Sequence, residues 1–347
     1  MKVTAKDLAR ALGLSEAAVS MALNNKPGVS TATRRKVLEE AERRGYDFSR
    51  KAAFGNDFKG SLCLAIYKKS GAVVADTPFF ADLTGGVSAA CRKAHYDLVI
   101  RYLYEDDELD DRLYGLSRMD FKGILLLATE MDTAALSRFA RFRTPILLLD
   151  ACFETADYNS VVIDNRQGAY LAAAYLIKKR KKQPGYLRSA YPIINFDERA
   201  DGFYKAIRAN GMSTAQSLVH RLTPSEDGAY ADMKALLAAG ETPADCYFAD
   251  NDHIAIGAIK ALKEAGYRIP EDVAVVGFDD LPLCEFLDPP LTTVRVPTHA
   301  MGETAVRRLI EMAEQKPSCP VKIEVGTALV KRKSVSAVPG PSGKERS

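Results

Sequence analysis

Between residues 61 and 313 the chain alternates short, unbroken apolar runs of strand length with amphipathic stretches of helix length, a pattern that few folds accommodate. Residues 62–67, 98–102, 123–128, 146–149, 160–163, 185–188, 246–249 and 273–276 read as strands, and 80–94, 165–179, 199–210, 230–239, 252–265 and 300–313 as helices. Strands apolar along their whole length must be covered on both faces, and the intervening helices supply that cover, so the expectation is a parallel α/β sheet. The nearly 280 residues from 61 to 333 exceed one ordinary sheet. Two doubly wound subdomains are therefore expected.

Residues 1–50 have a different texture, that of a helix-turn-helix. Thr4 followed by Asp7 marks a helix start, with a hydroxyl to cap backbone N–H groups and a carboxylate in the positive first turn. Leu8 and Leu12 give that helix an apolar stripe, Ala9 is small where helices cross, and Gly13 suits the tight turn. Ser15 caps a second helix with Ala18, Val19, Ala22 and Leu23 inward, which leaves Glu16, Ala17, Ser20, Met21 and Asn24 on the face a recognition helix presents to the major groove. Ser30 caps a third helix, with Val37, Leu38 and Ala41 inward and Gly45-Tyr46 at its close. The pattern implies a small all-α DNA-binding headpiece.

Charge supports that division. Residues 1–60 carry 12 Lys and Arg against 7 Asp and Glu, whereas the remainder carries 36 against 38, so the basic excess lies where phosphates would be met. The six cysteines are scattered without a Cys-x-x-Cys pair and read as buried small hydrophobes of a reducing cytoplasm. No apolar signal segment and no run of about 18 apolar residues is present, so a cytoplasmic protein without a membrane partner is expected. Residues 51–60 read as a linker or hinge, 61–333 as the core, and 334–347 as a disordered tail.

In open α/β sheets ligands lie off the carboxyl ends of strands, and here those ends carry Asp150, Asp250-Asn251-Asp252 and Asp279-Asp280. Acids and amides on one rim suit a hydroxyl-rich ligand. Motifs of catalysis are missing: there is no phosphate-binding glycine loop, no nucleophile elbow and no His-Glu-x-x-His, and the four histidines lack metal-ligand spacing. No enzyme, cofactor or metal is expected. The cationic run 178–182 sits at a helix end and reads as a solvated face.

Several of these segments together resemble the lactose-repressor/galactose-repressor (LacI/GalR) family of bacterial transcription regulators. They are residues 3–9 (Val-Thr-Ala-Lys-Asp-Leu-Ala), 19–24 (Val-Ser-Met-Ala-Leu-Asn), 26–30 (Lys-Pro-Gly-Val-Ser), 78–80 (Pro-Phe-Phe), 163–169 (Ile-Asp-Asn-Arg-Gln-Gly-Ala), Asn251-Asp252, 277–280 (Gly-Phe-Asp-Asp) and 290–294 (Pro-Leu-Thr-Thr-Val). The resemblance runs over residues 2–333. It implies a headpiece, a hinge that becomes helical on DNA, and a regulatory core shaped like periplasmic sugar-binding proteins, with chain crossings near Ile163, Thr292 and Gly326. The subdomains would then be 61–163 with 293–325, and 164–292 with 326–333. Ligand-facing positions implied by the resemblance are Phe79, Phe80, Asp150, Arg199, Tyr230, Asn251 and Asp279. Asp, Asn and Arg can grip adjacent hydroxyls, while an aromatic face covers a sugar ring or stacks on a base. One of Phe79 and Phe80 is expected only to pack. Arg199 is read as standing early in a helix, against the dipole, and Asp279 is favoured over Asp280 for the ligand.

The chain departs from the family pattern in three places. Met21 stands where Arg is usual, which removes a bidentate guanine contact; Glu16 can accept from a cytosine amine and Ala17 can touch a thymine methyl. Thr4, Ser15, Ser20, Asn24, Ser30 and Thr33 suit the backbone side of the interface, where Ser and Thr can equally be caps. In the hinge, Gly55 replaces the leucine that wedges into the minor groove, so either Phe54 supplies the wedge or the operator is bent little. The tail lacks a leucine heptad, so a homodimer through the core, reading a near-palindromic double-stranded operator, is expected. The resulting expectation is an allosteric DNA-binding regulator, a repressor, whose core senses a small molecule. A sugar is the leading effector; a purine or a protein corepressor is the alternative.

Overall fold

The computed structural model describes residues 3–23, 28–44, 46, 58–74, 78–315 and 319–337. An N-terminal unit holds three helices, and a larger α/β unit holds most of the remaining chain. The expectations for Asn24, Gly45 and hinge residues 51–57, with Phe54 and Gly55 among them, lie outside the described residues, as does most of the tail.

In the headpiece, α1 (Ala5–Leu12), α2 (Glu16–Leu23) and α3 (Thr31–Arg43) close on Leu8, Ala9, Val19, Ala22, Val37 and Ala41, with Tyr46 packed beside them. Thr4 and Asp7 form a reciprocal capping box, and Gly13 ends α1 at φ 64°, the left-handed conformation a glycine adopts without strain. Leu38 departs from expectation and is exposed. Val37 and Ala41, four apart, share the buried stripe of α3, and Leu38 lies about 100° round the helix from Val37, beyond the reach of so small a core.

The core contains a six-stranded sheet in the order β11-β5-β4-β3-β1-β2, built from β1 (Gly60–Lys68), β2 (Tyr96–Tyr104), β3 (Phe121–Leu127), β4 (Ile146–Leu149), β5 (Asn159–Ile163) and β11 (Lys322–Val325). β3 and β4 run parallel with Ile124 opposite Ile146 and Leu127 opposite Leu149, and all of these residues are buried. α5 (Leu109–Ser117) and α6 (Thr133–Ser137) contribute Leu109, Leu113, Leu116, Ala135 and Leu136 to one core layer of this sheet, and α11 (Thr298–Gln315) packs against β3, β4 and β5. α4 (Pro78–Lys93) connects β1 to β2.

A second, four-stranded parallel sheet has the order β7-β6-β8-β9: β6 (Gly185–Ser189), β7 (Val219–Leu222), β8 (Cys246–Ala249) and β9 (Ala274–Val276). Its helices pack in pairs, α7 (Asn165–Arg180) with α8 (Ile194–Ala209) and α9 (Glu226–Ala238) with α10 (Asp252–Glu264). The pairs approach closely: a Cβ on Gly202 would stand 2.2 Å from the Arg166 carbonyl oxygen, and one on Gly257 2.3 Å from that of Glu226. Short strands β10 (Thr293–Arg295) and β12 (Ala328–Val330) pair antiparallel where the chain crosses between the two sheets.

Three expectations need correction. Ser334 and Val335 are buried rather than part of a loose tail: Ser334 Oγ donates to the Val275 carbonyl at 2.6 Å and accepts from Thr292 N–H at 2.8 Å. Within the cationic run 178–182, Arg180 is buried and donates to the carbonyls of Pro270, Glu271 and Asp272, so only its neighbours are solvated. Among the cysteines, Cys63, Cys91, Cys246 and Cys284 are buried, but Cys152 is half-buried and Cys319 exposed. No helix among the described residues is long and apolar enough to cross a membrane.

Candidate functional site

On the headpiece, Glu16 and Ala17 are exposed at the first turn of α2, while Ser20 and Met21 are half-buried. Met21 packs against Gly28, where a Cβ would lie 2.8 Å from its Sδ. The hydroxyls are largely committed to helix ends. Thr4 Oγ1 donates to Asp7 Oδ2 at 2.6 Å, so it would have to give up its proton's partner to bind a phosphate oxygen. Ser15 Oγ accepts from Ala18 N–H at 3.1 Å and Ser30 Oγ from Thr33 N–H at 3.1 Å, with the Ser30 and Thr33 hydroxyls 2.8 Å apart. Thr4, Ser15 and Ser30 are thus helix caps first.

In the core, a cavity of about 280 Å³ draws its walls from both sheets. The six-stranded sheet contributes Ala72 and Val73 after β1, Phe79 and Phe80 at the start of α4, Thr129 after β3 and Asp150 after β4. From the four-stranded sheet come Ile193, Asn195 and Arg199 after β6, Ser225, Glu226 and Asp227 after β7, Asn251 and His253 after β8, and Asp279 after β9. Every lining segment follows the carboxyl end of a strand, which is where side chains can converge without interrupting a ladder.

Arg199 organises the wall. Buried at 4 % exposure, it sits 3.7 Å above the Phe278 ring and donates through Nε to Asn165 Oδ1 at 3.0 Å, through one Nη to the Asp250 carbonyl, and through the other to Asp279 Oδ1 at 3.3 Å. A guanidinium has five N–H groups, so two remain beyond these three contacts. Helix α8 begins at Ile194, five residues before Arg199, so the arginine does not stand in the first turn as the sequence suggested. Its charge is matched instead by Asp279 and the Asp250 carbonyl.

The carboxylates around it divide by role. Burial pushes the Asp279 carboxyl up to about 7 against the pull of Arg199, and Asp150 up to about 6 while Thr129 Oγ1 donates to it at 2.7 Å. Asp250 and Asp252, likewise raised to about 6 by burial, are structural: Asp250 accepts from Tyr186 and from Ser189 N–H, and Asp252 from Leu281 N–H and Thr293 Oγ1. Asp280 pairs with Arg295 and Arg332 and braces the loop, whereas Asp279 faces the cavity. Asp150 and Asp279 adopt φ of 62° and 115°, conformations that cost a residue with a Cβ and that aim both side chains from sharp turns.

Six of the seven sequence-derived ligand positions, Phe79, Phe80, Asp150, Arg199, Asn251 and Asp279, line this one cavity. Phe79 and Phe80 meet edge to face, 5.0 Å between centroids, and both line it although only one was expected to. Asn251 also caps α10, accepting from Ile254 N–H at 2.9 Å. Tyr230 stands apart: its hydroxyl donates to Glu264 at 2.7 Å and accepts from Lys234, on the exposed side of the α9–α10 pair. It was placed at a helix start, but α9 begins at Glu226, and the cavity wall there is Pro224 to Asp227. Thr129, Asn195, Glu226 and Asp227 were missed, and His253, Nδ1 3.2 Å from Glu226 Oε1, lines the cavity beside them. Asn195 and Glu226 lie six and four residues past the ends of β6 and β7, and of these two strands only β6 is legible in the sequence.

Comparison with known proteins yields two family profiles: "Bacterial regulatory proteins, lacI family" over residues 4–47 and "Periplasmic binding protein-like domain" over 173–335. The HTH-type transcriptional repressor PurR of Mannheimia succiniciproducens is 32 % identical over 340 residues, covering 96 % of this chain and 99 % of the relative. Among solved structures, a transcriptional regulator CelR–cellobiose complex superposes with a TM-score of 0.71 at 26 % identity, covering 96 % of this chain and 100 % of the other. A LacI family transcriptional regulator from Enterococcus faecium with bound ribose gives 0.68 at 25 % identity, covering 80 % and 99 %.

Proposed function

The chain belongs to the lacI family of bacterial regulatory proteins, and from that premise we propose that it is a repressor whose operator affinity is set by a sugar bound in the core cavity. It acts as a homodimer on a near-palindromic operator, in the cytoplasm, and by binding rather than by catalysis. The exposed first turn of α2, with Glu16 and Ala17, reads the bases.

The observation that carries the sugar reading is the buried Arg199 with N–H groups to spare, lining one cavity together with Asp150, Asn195, Asn251 and its own partner Asp279. Acceptors and donors so placed match the adjacent hydroxyls of a sugar ring, and Phe79 and Phe80 supply an apolar face. Phe196, at the start of α8, lines the cavity as a third ring. The ribose and cellobiose complexes of the two solved relatives accord with this choice.

Because Asp150 belongs to one sheet and Arg199, Asn251 and Asp279 to the other, a ligand held by all four favours one spacing of the two halves of the core. Allosteric couplings run at about 1–3 kcal/mol, or roughly 5- to 150-fold in affinity. The test is selection of bound DNA by the purified full chain, followed by titration of a sugar panel against the selected operator. A palindromic consensus whose affinity shifts at least about fivefold with one sugar supports the proposal. A response to a nucleobase and to no sugar replaces the effector class, and failure to enrich any sequence removes the DNA-binding role.

A further inference from the structure

Resting on the reading of the cavity as a sugar site, we infer that its effector carries no anionic group, and that Glu226 and Asp227 are the residues that exclude one. Besides α4, whose Phe79 and Phe80 stand at its start, three helices of the four-stranded sheet begin at the cavity wall: α8 at Ile194 beside Ile193 and Asn195, α9 at Glu226 beside Ser225, and α10 at Asp252 beside Asn251. A helix N-terminus, with unpaired N–H groups and a positive dipole end, is a ready anion site, so three together would suit a phosphate.

The chain has capped two of these ends, those of α9 and α10, with its own side chains, whereas α8 has no side-chain cap. Ser225 Oγ accepts from Gly228 N–H at 3.2 Å and Asn251 Oδ1 from Ile254 N–H at 2.9 Å. First turns carry Asp197 on α8, Glu226 and Asp227 on α9, and Asp252 on α10. Four carboxylates line the cavity, Asp150, Glu226, Asp227 and Asp279, while its lining includes one guanidinium and no lysine. That guanidinium, on Arg199, is already matched by Asp279 and the Asp250 carbonyl. His253 likewise has Glu226 as its neighbour at 3.2 Å. A phosphate ester entering this space would bring about two negative charges to a lining in which, among the described residues, four carboxylates face one guanidinium and one imidazole. Hydroxyls, by contrast, can donate to each of these oxygens.

Glu226 and Asp227 are the discriminating pair because both line the cavity, Glu226 has only His253 beside it, Asp227 has no cationic partner among the described residues, and Asp227 is exposed to an incoming ligand. The test uses the full chain with D-ribose, D-glucose and cellobiose against D-ribose 5-phosphate, D-glucose 6-phosphate and inorganic phosphate at matched ionic strength. Thermal shift identifies the binding sugar and calorimetry gives its affinity beside that of its phosphate ester. The ester is expected to bind at least about tenfold more weakly than the neutral sugar, and the Glu226→Gln/Asp227→Asn variant to narrow that ratio by about tenfold. Glu226→Gln alone is read in the same way should the double variant not fold. An ester that binds as tightly as its neutral sugar, or a ratio unchanged in the variants, overturns the inference and leaves the sugar site standing. No response to any member of the panel removes the sugar reading itself, and this inference with it.

Discussion

Glu130 holds the loop that closes one side of the cavity, and replacing it with glutamine tests how that wall is built. Its side chain, in a residue only 6 % exposed, accepts five backbone N–H groups: Oε2 takes those of Lys69, Ser70 and Gly71, each at 2.9 Å, and Oε1 those of Val73 at 2.8 Å and Val74 at 2.7 Å. Glutamine offers one oxygen. In either orientation its NH2 faces at least two N–H groups that lose their acceptor, and a bond to a charged acceptor is worth about 1.5–3 kcal/mol. Two such losses come to about 3–6 kcal/mol, and because residues 69–73 are partly solvated the expected cost is nearer the lower figure.

The pH dependence carries its own sign. Burial alone would raise the Glu130 carboxyl, but the backbone N–H bonds outweigh it and the value is lowered. The unfolded chain therefore binds more protons near the ordinary glutamate value, so this contribution is present above that value and is lost as pH falls through the folded one. Urea denaturation of the full chain, followed through the core transition at neutral and acid pH, should show Glu130→Gln destabilised by about 3 kcal/mol at pH 7 with the difference shrinking in acid. Ala72 and Val73 line the cavity, so effector affinity should fall as well. A loss below about 0.5 kcal/mol with unchanged effector affinity would refute the reasoning.

Asp279→Asn should flatten part of the pH profile of ligand-free stability. Asp279 is raised to about 7, so between its unfolded value and about 7 the folded state binds more protons, and stability falls as pH rises through that window; thermal melts from pH 4 to 8 should show a smaller fall in the variant, and an identical profile would contradict the assignment. Gly202→Ala places a Cβ 2.2 Å from the Arg166 carbonyl and should cost about 1–3 kcal/mol or more in urea melts; a neutral effect would mean that α7 and α8 part easily. Tyr230→Phe removes only the hydroxyl bound to Glu264 and Lys234, so calorimetric effector affinity should change less than about twofold, and a tenfold loss would bring Tyr230 back to the cavity.

What could be read before the structure follows from how each element is stabilised. Residues 146–149 and 246–249 are buried on both faces, and their unbroken apolar runs marked them to the residue. Strands β10 (Thr-Val-Arg), β11 (Lys-Ile-Glu-Val) and β12 (Ala-Leu-Val) are only three or four residues long, too short for their patterns to mark them. β7, Val-His-Arg-Leu, alternates as an edge strand over only four residues. The start of α8 was misjudged because Ile194, Asn195 and Phe196 have no capping side chain before them, and that error displaced the rationale for Arg199 without displacing the residue. Glu130 was invisible for a different reason: its five partners are backbone groups 56 to 61 residues away, and nothing in side-chain chemistry announces them. Leu38 and Arg180 show the converse, an apolar residue outside a small core and a cation inside a large one.

The central claim, that the cavity controls the headpiece, is met most directly by fluorescence anisotropy of the selected operator titrated with the full chain, with and without saturating sugar, for the native protein and Arg199→Ala. Arg199 lies in the core cavity and belongs to the unit distinct from the three-helix headpiece. The account predicts that the native chain shifts its operator affinity at least about fivefold on adding sugar, and that Arg199→Ala binds the operator but no longer responds. A sugar response that persists undiminished in Arg199→Ala would contradict it.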